Sequence, residues 1–487
     1  MRLRVLFESA KEDAALDLIK TTIAGTPFEN KVYIAGGFVR DEIMGRASKD
    51  IDLVIDMDNG GIKFAVWVCK RLGIYKENSN PVVYPRFGTA MFTFRGVTHI
   101  GQDLSGLDIE CVMPRAEENE IPDNRKSIVI KKTSMKGDAL RRDLTINTLY
   151  KNVSTGKILD LTGKGVHDIK NGILRTPTKA DDTFGHPKFG DPLRMLRVLR
   201  FAARYGYEVD RGVLDAVKRN ASRLKNISNE RIRDEFIKML ISPRPVEAMD
   251  MLVETGLIDY VLPELKQLIG LEQGIYHNKD AYGHTMDVLA ATQPRAVLRL
   301  AALLHDIGKP VVRTPHDRKK YEFLQHEKVG EELTDTILRR LKFPNDTIKA
   351  VKTLVRRHMG LRAGRQGKLS SKALRRFARK CGSDEMLQDA LALMQADYEA
   401  HPGADPDEFN RIRDQYKAIT STAAQPLSQR QKVVNGHDIM KTFNIPPGPM
   451  IKTMLQYAQD LYDEDPATDK ETIMIKLKEK FNPNEDE

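Results

Sequence analysis

Hydrophobic and polar positions change their spacing near residue 145 of this 487-residue chain. Before that point, short apolar runs such as KVYIAGG and DIDLVID have the period of two that is typical of β-strands, with helix-like segments between them. Beyond it, segments such as DPLRMLRVLRFAARYGY carry the period of amphipathic helices. The pattern therefore predicts an N-terminal α/β region followed by a helical remainder.

The cysteines and the N-terminal segment indicate a reducing compartment. Cys69, Cys111 and Cys381 are odd in number, far apart and without CxxC spacing, which argues against a disulfide framework or a cysteine zinc site. The N-terminal segment has no apolar run long enough for a signal peptide, and no stretch reaches transmembrane length. We therefore expect a cytoplasmic protein without a membrane segment.

The charge of the chain suggests a class of partner. The formal net charge is +10 at pH 7, which favours a polyanionic partner. From Arg356 to Lys380 the chain is rich in lysine and arginine and contains no acidic residue. This basic segment is either one solvated face of a helix or a surface that follows a phosphate backbone. Composition alone leaves both interpretations open.

Two aspartates in a strand-like run are the first candidates for chemistry. Asp50 and Asp52 are two residues apart, so on a strand both project from one face. Burying such a pair without partners is costly, and Mg²⁺, which prefers carboxylate and phosphate oxygens, relieves the repulsion. Upstream, Gly36 and Gly37 allow the backbone to approach a phosphate closely and to offer it N–H groups. A surface strand or turn explains the aspartate pair by itself, whereas both elements in this order predict a metal and phosphate site.

Three segments in order carry a resemblance to a known family. GGFVRD, KDIDLV and RRDLTINTLY resemble the class II CCA-adding enzymes and bacterial poly(A) polymerases, which are DNA polymerase β-like nucleotidyltransferases. The resemblance continues through NERIRDEFIKML and MLVETGLIDYVLPEL to NGHDIMKTFNIPPGP, and so covers nearly the whole chain. It implies an α+β fold, in which a polymerase-β-like head with a mixed sheet and helices precedes all-α neck, HD and tail domains.

The resemblance also implies catalytic and nucleotide-binding residues. Asp50 and Asp52 would hold Mg²⁺, and the third carboxylate would be Glu110, upstream of Arg115, with Asp108 as the alternative on the same strand face. The implied nucleotide-binding residues are Gly36, Gly37, Arg40, Asp41, Arg142, Asp143, Asn147, Asp191, Arg194 and Arg197. Locally, Asp143 is equally explained as the cap of a helix that follows two exposed arginines.

Asp191 and Arg194 are candidates for reading the base. At three residues apart they are neighbours on one face of a helix, where a carboxylate and a guanidinium present acceptor and donor groups together. The resemblance implies that this pair replaces a Watson–Crick partner for CTP and then for ATP. An N-cap aspartate with a first-turn arginine explains the same spacing. Arg231 and Arg233 are expected to contact tRNA or to stabilise the scaffold.

A second group of candidate residues lies in the helical half. They are His284, His305, Asp306 and Asp397, and their order resembles the H…HD…D pattern of HD-domain phosphohydrolases. Imidazole and carboxylate ligands together suit a transition metal or Mg²⁺, which would activate water against a phosphate ester. His326 and His358 stand where the resemblance implies further ligands. An active hydrolytic site is the favoured interpretation, and a degenerate structural domain is the alternative.

The sequence predicts four domains. They are a nucleotidyltransferase head at residues 1–150, a helical neck for nucleobase and RNA binding at 151–265, an HD phosphohydrolase-like domain at 266–402 and a helical tail at 403–487. The expected activity is addition or repair of the 3′-terminal CCA of tRNA from CTP and ATP, with release of pyrophosphate. The HD domain would remove a 2′,3′-cyclic phosphate or a phosphomonoester from damaged ends. The expected partners are tRNA, CTP and ATP, and the sequence does not determine the oligomeric state.

Other activities remain open at this point. A poly(A) polymerase is the nearest alternative, although those enzymes usually lack an HD domain and have a basic tail, whereas this chain ends in an acidic one. An A-only or CC-only tRNA enzyme would differ in loop behaviour that the sequence does not reveal. An HD phosphohydrolase with an RNA-binding head, or a purely structural tRNA-binding protein, would require a lost carboxylate, and both Asp50 and Asp52 are present.

Overall fold

The chain forms two compact units. The computed structural model describes residues 10–48, 50–121, 128–274, 278–361, 371–402, 404, 407–421, 433–465 and 468–481. The first unit is Met1–Val261 and the second is Leu262–Glu487. No helix of the described residues is long and apolar enough to cross a membrane.

The first unit is built on a mixed seven-stranded sheet. Its strands are β1 (Val32–Ala35), β2 (Ile51–Ile55), β3 (Val82–Tyr84), β4 (Thr89–Thr93), β7 (Asp108–Val112), β10 (Leu149–Asn152) and β11 (Ile158–Asp160). Their order across the sheet is β11-β10-β1-β2-β7-β4-β3. Only the pair β2–β7 within this sheet is parallel. The mixed sheet predicted for the head is therefore confirmed.

Shorter strands and helices complete the first unit. The strands are β5 (Thr98–His99), β6 (Gln102–Asp103), β8 (Arg115–Asn119), β9 (Ile128–Lys132), β12 (Ile173–Leu174) and β13 (Glu208–Val209). The helices are α1 (Ala10–Ile23), α2 (Gly37–Ile43), α3 (Gly60–Arg71), α4 (Met135–Leu140), α5 (Gly165–Asn171), α6 (Ala180–Gly185), α7 (Leu193–Tyr205), α8 (Arg211–Asn220), α9 (Asn229–Leu240), α10 (Pro245–Glu254) and α11 (Ile258–Val261). Single 3-10 turns occur at Pro85–Phe87, Thr145–Asn147 and Ala221–Asn226.

The two faces of the sheet differ because the strands alternate apolar and polar residues. Ile51 and Leu53 of β2 are buried on the face that α3 covers. Gly61 brings α3 into close contact with this face, since a Cβ there would lie 2.5 Å from the carbonyl oxygen of Cys111. Asp52, between the two apolar residues, projects from the opposite face. The period of two in the sequence thus separates a core face from an open face.

The second unit is almost entirely helical. Its helices are α12 (Ala281–Ala291), α13 (Ala296–Leu304), α14 (Lys309–Val312), α15 (His326–Arg340), α16 (Asn345–Arg357), α17 (Ser371–Cys381), α18 (Asp384–Glu399), α19 (Glu408–Ser421), α20 (Gly436–Phe443), α21 (Pro449–Glu464) and α22 (Lys470–Phe481). A 3-10 turn at Pro263–Leu268 precedes them, and β14 (Thr314–His316) pairs with β15 (Lys320–Glu322). The last three helices share a small core that includes Ile439, Met454 and Ile473. The predicted helical remainder is confirmed, with short strand pairs added to it.

One domain boundary predicted from the sequence differs from the structure, namely the end of the head domain. The predicted end of the head at residue 150 falls inside β10, and the sheet continues to Asp160. The division between the two compact units, after Val261, lies close to the predicted end of the neck at residue 265. The division into four domains stays a prediction.

Much of the described basic segment is paired with acidic residues. Residues 362–370 lie outside the described part of the chain. On α17, Arg376 pairs with Asp460 and Arg379 with Asp463, both on α21. Earlier in the segment, Arg356 pairs with Glu327 at 2.7 Å. For these arginines, the interpretation as a solvated or paired helix surface agrees better with the structure than a phosphate-binding surface does.

Candidate active site and metal cluster

Three predicted catalytic carboxylates lie together on the open face of the sheet. In the parallel pair β2–β7, Asp52 is directly opposite Glu110. Asp50 precedes β2, and all three residues line one cleft. Asp108 does not line this cleft and instead accepts a hydrogen bond of 2.5 Å from the Thr93 hydroxyl. Strand register therefore favours Glu110 over Asp108 as the third carboxylate.

The electrostatics of this carboxylate group favour a bound cation. Burial, together with the neighbouring carboxylates of Glu110 and Asp50, raises the pKa of Asp52 to about 6, although Arg142 acts in the opposite direction. Neighbouring carboxylates repel one another when they are ionised, and a bound divalent cation removes this repulsion. The donor set, made only of carboxylate oxygens on a face open to phosphate, fits a hard cation such as Mg²⁺.

The cleft beside the carboxylates has a volume of about 550 Å³ and a strongly cationic lining. The arginines that line it are Arg40, Arg115, Arg141, Arg142, Arg194, Arg197, Arg200, Arg204 and Arg231. The acidic residues besides the catalytic three are Glu117, Asp143 and Asp191. Positive charge concentrated in a partly enclosed cleft attracts polyanions such as nucleoside triphosphates. The fold brings these residues together from the strands and from helices such as α2, α7 and α9.

Asp138 fixes two of the arginines. Its carboxylate accepts hydrogen bonds from Arg141 Nε at 2.9 Å, from Arg142 Nη2 at 3.2 Å and from the Tyr150 hydroxyl at 2.6 Å. Burial opposes ionisation of Asp138, but Arg142 and Arg141 outweigh it and lower its pKa to about 2. Arg115 also donates its backbone N–H to this carboxylate at 3.2 Å. Asp138 is fully buried and thus orients cleft arginines without entering the cleft.

The turn at Gly36 and Gly37 contributes to the cleft because these residues have no side chains. Gly36 has a φ of 66°, and a Cβ there would lie 3.1 Å from Arg142 Nη1. The Gly36 N–H donates to the carbonyl oxygen of Leu149 at 3.2 Å. The expectation that this N–H is offered to phosphate is therefore wrong, because strand β10 already uses it. Gly36 and Gly37 both line the cleft, where the missing side chains leave room for a ligand and for Arg142.

Arg40 and Asp41 have different positions relative to the cleft. Arg40 lines it and donates from Nη1 to Asn147 Oδ1 at 2.6 Å. Asp41 lies behind Arg40, accepting hydrogen bonds from Arg40 Nε at 2.8 Å and from the Tyr205 hydroxyl at 3.2 Å. Asp41 does not line the cleft and orients Arg40, while its direct contact with a nucleotide stays a prediction.

Asp143 anchors α7 to the head. Its carboxylate accepts hydrogen bonds from Asn147 Nδ2 at 2.9 Å and from Arg197 Nε at 2.7 Å. Burial would raise the pKa of Asp143, but Arg197 on α7 outweighs it and holds this pKa well below the usual range. Asn147 lies on a 3-10 turn rather than an α-helix, and it links Asp143 to Arg40. Asp143, Asn147 and Arg197 are thus one hydrogen-bonded group at the cleft wall.

The proposed base-reading pair has an arginine partner that sequence spacing did not indicate. Asp191 precedes α7 and accepts a hydrogen bond from the Leu193 N–H at 3.1 Å. Its other oxygen accepts from Arg231 Nη2 of α9 at 2.8 Å. Arg194 donates from Nη1 to the carbonyl oxygen of Thr183 at 3.3 Å. All three side chains line the cleft, so α7 and α9 together present the carboxylate and guanidinium groups to a ligand.

In the second unit, helices α12 to α18 bring six histidines and aspartates together. They form two groups whose nitrogen and oxygen atoms lie within 4.8 Å of one another, His284 with His305 and Asp397, and Asp306 with His326 and His358. The closest pair between the groups is His305 Nε2 and Asp306 Oδ2, at 3.2 Å. The four residues predicted as HD-site ligands therefore converge, and both additional histidines join them.

Three of these histidines have the same orientation. Nδ1 of His305 lies 2.8 Å from the Ala302 carbonyl oxygen, and the corresponding distances for His326 and His358 are 2.8 Å and 2.7 Å. A carbonyl oxygen only accepts, so each Nδ1 carries a proton, and in the neutral ring each Nε2 presents a lone pair. The Nε2 atoms of His326 and His358 are 3.1 Å apart, and Asp306 Oδ1 is 3.4 Å from the former. Lone pairs this close repel one another, and a metal cation bound by these atoms would remove that repulsion.

The buried position of the cluster reinforces this conclusion. His305 Nε2 is buried and has no hydrogen-bond partner within the part of the chain that the structure describes. Burial lowers the pKa of His358 to about 4, so this ring is a neutral ligand. Neutral imidazole and ionised carboxylate are the forms that bind metal ions. The cluster therefore fits one or two divalent cations, and the donor set suits a transition metal as well as Mg²⁺.

Lys309 is a neighbour of the cluster that sequence reasoning missed. It is buried at the start of α14, with Nζ 2.5 Å from Asp306 Oδ2. The same Nζ donates to Gln273 Oε1 at 2.5 Å. The signal that could have found it is its spacing of one helical turn from Asp306 in the segment HDIGK. A buried lysine beside metal-ligating groups can hold an anionic substrate such as phosphate.

Comparisons with known proteins match three segments of the chain to known protein families. Residues 32–175 match the Poly A polymerase head domain, residues 206–269 match the probable RNA and SrmB-binding site of polymerase A, and residues 280–400 match the HD domain. The CC-adding tRNA nucleotidyltransferase of Thermus thermophilus is 32% identical over 438 residues, which cover 87% of this chain and 88% of that protein. This chain belongs to the tRNA nucleotidyltransferase family. Its two candidate sites are those of a nucleotidyltransferase head and an HD domain.

Other relatives of this nucleotidyltransferase differ in the reaction that their names describe. The A-adding tRNA nucleotidyltransferase of Deinococcus radiodurans is 32% identical over 338 residues, covering 66% of this chain and 74% of that protein. Among solved structures, the Bacillus stearothermophilus CCA-adding enzyme in complex with CTP has a TM-score of 0.64 at 22% identity, covering 96% of this chain and 97% of that one. At that identity the likeness concerns the fold. The family and the HD match together imply a divalent metal ion.

Proposed function

We propose that the protein adds or repairs the 3′-terminal CCA of tRNA, using CTP and ATP. The observation that carries this proposal is the register that sets Asp52 opposite Glu110, beside a cleft lined with arginines. In the reaction, the 3′ hydroxyl oxygen of the RNA forms a bond to the α-phosphorus of the nucleotide. The bond from that phosphorus to the pyrophosphate oxygen breaks, pyrophosphate leaves, and the hydroxyl proton passes to solvent.

Asp50, Asp52 and Glu110 are the residues that would hold Mg²⁺. Carboxylates from two neighbouring strands supply the hard oxygen ligands this ion takes, leaving positions for phosphate oxygens and water. When bound, Mg²⁺ would activate the attacking hydroxyl and neutralise charge on the leaving pyrophosphate. The repulsion that raises the pKa of Asp52 to about 6 is the cost that such a cation relieves.

The arginines beside the carboxylates would bind the triphosphate. Arg142 and Arg40 lie on the β1 and β10 side of Asp52, and both are held by the side chain or backbone of Asn147. Asp138 and Tyr150 hold the guanidinium of Arg142 from behind. An arginine whose position is fixed before binding loses little conformational freedom when a phosphate arrives. These contacts support a role in orienting the α-phosphate for in-line attack.

Asp191, Arg194 and Arg231 would read the base without a nucleic-acid template. The exocyclic amino groups of cytosine and adenine both donate hydrogen bonds, and the carboxylate of Asp191 accepts them. Guanidinium N–H groups of Arg194 or Arg231 suit the ring-nitrogen acceptors of either base. The hydrogen bond from Arg231 Nη2 to Asp191 at 2.8 Å supports a fixed carboxylate position. The group thus favours CTP and ATP over nucleotides that carry a carbonyl at that position.

A CC-only enzyme is the second candidate. Two relatives at 32% identity are named for adding only part of the CCA sequence, one CC and the other A. The shared cleft residues suit either product, because cytosine and adenine present similar edges to Asp191 and Arg194. A poly(A) polymerase receives less support, because a relative that covers 87% of this chain is named for tRNA.

The HD domain supports a second, hydrolytic activity. We propose that His284, His305 and Asp397 would hold one metal ion and that Asp306, His326 and His358 would hold a second. A metal bound there would supply hydroxide at neutral pH by lowering the pKa of its water. Lys309, 2.5 Å from Asp306, would hold the phosphate of a 2′,3′-cyclic or terminal phosphate ester. Such a reaction prepares damaged RNA ends for nucleotide addition, in the cytoplasm where we propose that the protein acts.

The deciding experiment supplies defined tRNA ends. A tRNA transcript lacking CCA and one ending in CC are incubated with Mg²⁺ and with CTP and ATP singly and together, and the product ends are sequenced. A CCA-adding enzyme extends the first by CCA and then stops, and extends the second by A. Extension of the first transcript by CC alone, with the second left unchanged, would identify the CC-only activity. Long A tails on any RNA, or no incorporation at all, would overturn the proposal.

A further inference from the structure

The catalytic face of the sheet continues beyond the carboxylates into an apolar strip that is partly exposed. Strand register sets Asp52 opposite Glu110, Glu110 opposite Met91, and Met91 opposite Val82. Residues opposite one another in neighbouring strands project from the same face. Val82 at the sheet edge therefore stands on the face that carries the catalytic group, about 10 Å from the strand of Glu110 by the usual strand spacing.

The next row of the same face ends in an aromatic residue. Val54, Val112, Thr89 and Tyr84 are opposite one another in that order. Tyr84 is 45% exposed and Val82 is 36% exposed, although both lie on a strand of the central sheet. Phe87 follows in the 3-10 turn and is 44% exposed. We call Val82, Tyr84, Phe87 and Met91 the edge strip.

The edge strip is continuous with the cleft. Arg115, which lines the cleft, donates from Nη1 to the Thr89 hydroxyl at 3.0 Å and to the Phe87 carbonyl oxygen at 3.3 Å. Thr89 lies opposite Tyr84, so this guanidinium lies between the catalytic carboxylates and the exposed aromatic rings. Arg86 adds a second cationic group, with its Cζ 5.8 Å from the centre of the Phe87 ring. Apolar rings flanked by arginines are the arrangement that binds single-stranded nucleic acid.

The in-line geometry of phosphoryl transfer indicates which substrate lies on the edge strip. The proposed triphosphate ligands Arg40 and Arg142 lie on the β1 and β10 side of Asp52. In phosphoryl transfer, the attacking and leaving oxygens are roughly in line on opposite sides of the phosphorus. The attacking hydroxyl must then approach from the β7, β4 and β3 side, where the edge strip lies. Four side chains are also too small a surface for a stable protein interface, which needs about 800 Å² on each partner.

We propose that the edge strip is a stacking surface for the unpaired 3′-terminal bases of the acceptor RNA. This inference rests on the proposed function. It assigns the side of the cleft from which the 3′ hydroxyl approaches the α-phosphate beside Glu110. Stacking on Tyr84 and Phe87 is independent of base identity, because every base has an aromatic face. The surface therefore accepts a terminus whose last base changes after each addition.

The first test separates acceptor binding from nucleotide binding. In Tyr84→Ala, with a tRNA transcript lacking CCA as acceptor, we expect the KM for the tRNA to rise roughly tenfold or more and the KM for CTP to change less than twofold. Tyr84→Phe keeps the ring and restores the wild-type value. Tyr75→Ala is the matched control, since Tyr75 is 42% exposed but lies outside the strip. Equal effects of Tyr84→Ala and Tyr75→Ala, or a rise only in the KM for CTP, would overturn the proposal.

A second measurement needs no catalysis. The same transcript carries 2-aminopurine as its 3′-terminal base, and its fluorescence is followed as protein is added without nucleotide. We expect quenching by the wild-type protein and by Tyr84→Phe, and at least a halving of that quenching in a Tyr84→Ala, Phe87→Ala double variant. Quenching that follows this pattern without any nucleotide addition would refute the proposed function and leave the stacking surface standing. Normal CC or CCA addition with equal quenching in all variants would refute the stacking surface alone.

Discussion

The two candidate sites hold carboxylates in opposite ways. In the head, Asp52 and Glu110 stand side by side on an open sheet face, with arginines facing them across a cleft. In the second unit, Asp306 is fully buried among histidines whose Nε2 lone pairs point toward it. The head therefore needs substrate phosphates to complete a metal site, whereas the HD cluster supplies nearly all ligands itself. Metal binding should depend on nucleotide in the first site and not in the second.

The largest expected effect is the loss of nucleotide addition in Asp52→Ala. Removing a metal ligand from the carboxylate group should lower the rate of CMP incorporation into tRNA roughly a thousandfold or more. Hydrolysis of a 2′,3′-cyclic phosphate by the same variant should stay at the wild-type rate. Asp108→Ala is the control on the same strand, because Asp108 contacts Thr93 and does not line the cleft. An equal loss of activity in Asp108→Ala would contradict the assignment of Glu110 as third carboxylate.

Asp306→Ala is expected to lose the hydrolytic activity and to keep nucleotide addition. This change removes the carboxylate that lies near all four histidines of the cluster, so cyclic phosphate hydrolysis and metal retention should both be lost. Elemental analysis after gel filtration should find metal in the wild-type protein without nucleotide and in Asp52→Ala, but little in Asp306→Ala. Asp287→Ala, which removes an exposed partner of Lys279, should retain the metal. Retention by Asp306→Ala at the wild-type level would refute the cluster as the metal site.

Asp138→Asn tests whether the cationic cleft depends on a buried anion. We expect the KM for CTP and ATP to rise about tenfold, because Arg141 and Arg142 lose the charge that orients them. The KM for tRNA should change little. Asp181→Asn breaks an exposed pair with Arg219 and is the matched control. Should the variant raise only the KM for tRNA, the positioning role would be wrong.

The same variant makes a prediction about pH and stability. The pKa of Asp138 falls from 3.8 to about 2 on folding, so its ionisation stabilises the fold above about pH 4. That contribution, roughly 2–3 kcal/mol, is lost as pH falls toward 2. The difference in free energy of unfolding between wild type and Asp138→Asn should therefore be smaller at pH 3 than at pH 7 in urea titrations. An equal difference at both values would contradict the ion-pair explanation.

The smallest effect is expected on the basic segment of the second unit. Arg376 already pairs with Asp460, so Arg376→Ala should leave the tRNA affinity within twofold and its salt dependence unchanged. Arg204 lines the cleft of the head, and Arg204→Ala should reduce the slope of affinity against salt concentration by about one. Filter binding over a series of salt concentrations measures both. A reduced slope in Arg376→Ala would restore the interpretation of this segment as a phosphate-binding surface.

Short-range pattern was enough to identify the paired aspartates, whereas the HD ligands were identified by their resemblance to the H…HD…D pattern. Asp50 and Asp52 share a strand face because the side-chain period of a strand is two, and this is visible in the sequence. Asp306 follows His305 directly, so their order in the chain also reveals them. The change of period near residue 145 likewise predicted the α/β region and the helices that follow it, whereas the mixed sheet was implied by the family resemblance.

The tertiary structure alone decided the partners of those residues. That Glu110 rather than Asp108 faces Asp52 depends on strand register, which no local pattern fixes. Arg231 holds Asp191 from a different helix, 40 positions away in the chain, and Lys309 reaches Gln273 over 36 positions. Sequence encodes which groups are available, because periodicity and capping are local. Which groups meet depends on long-range packing, because burial forces each charged group to find a partner wherever the fold brings one within hydrogen-bonding distance.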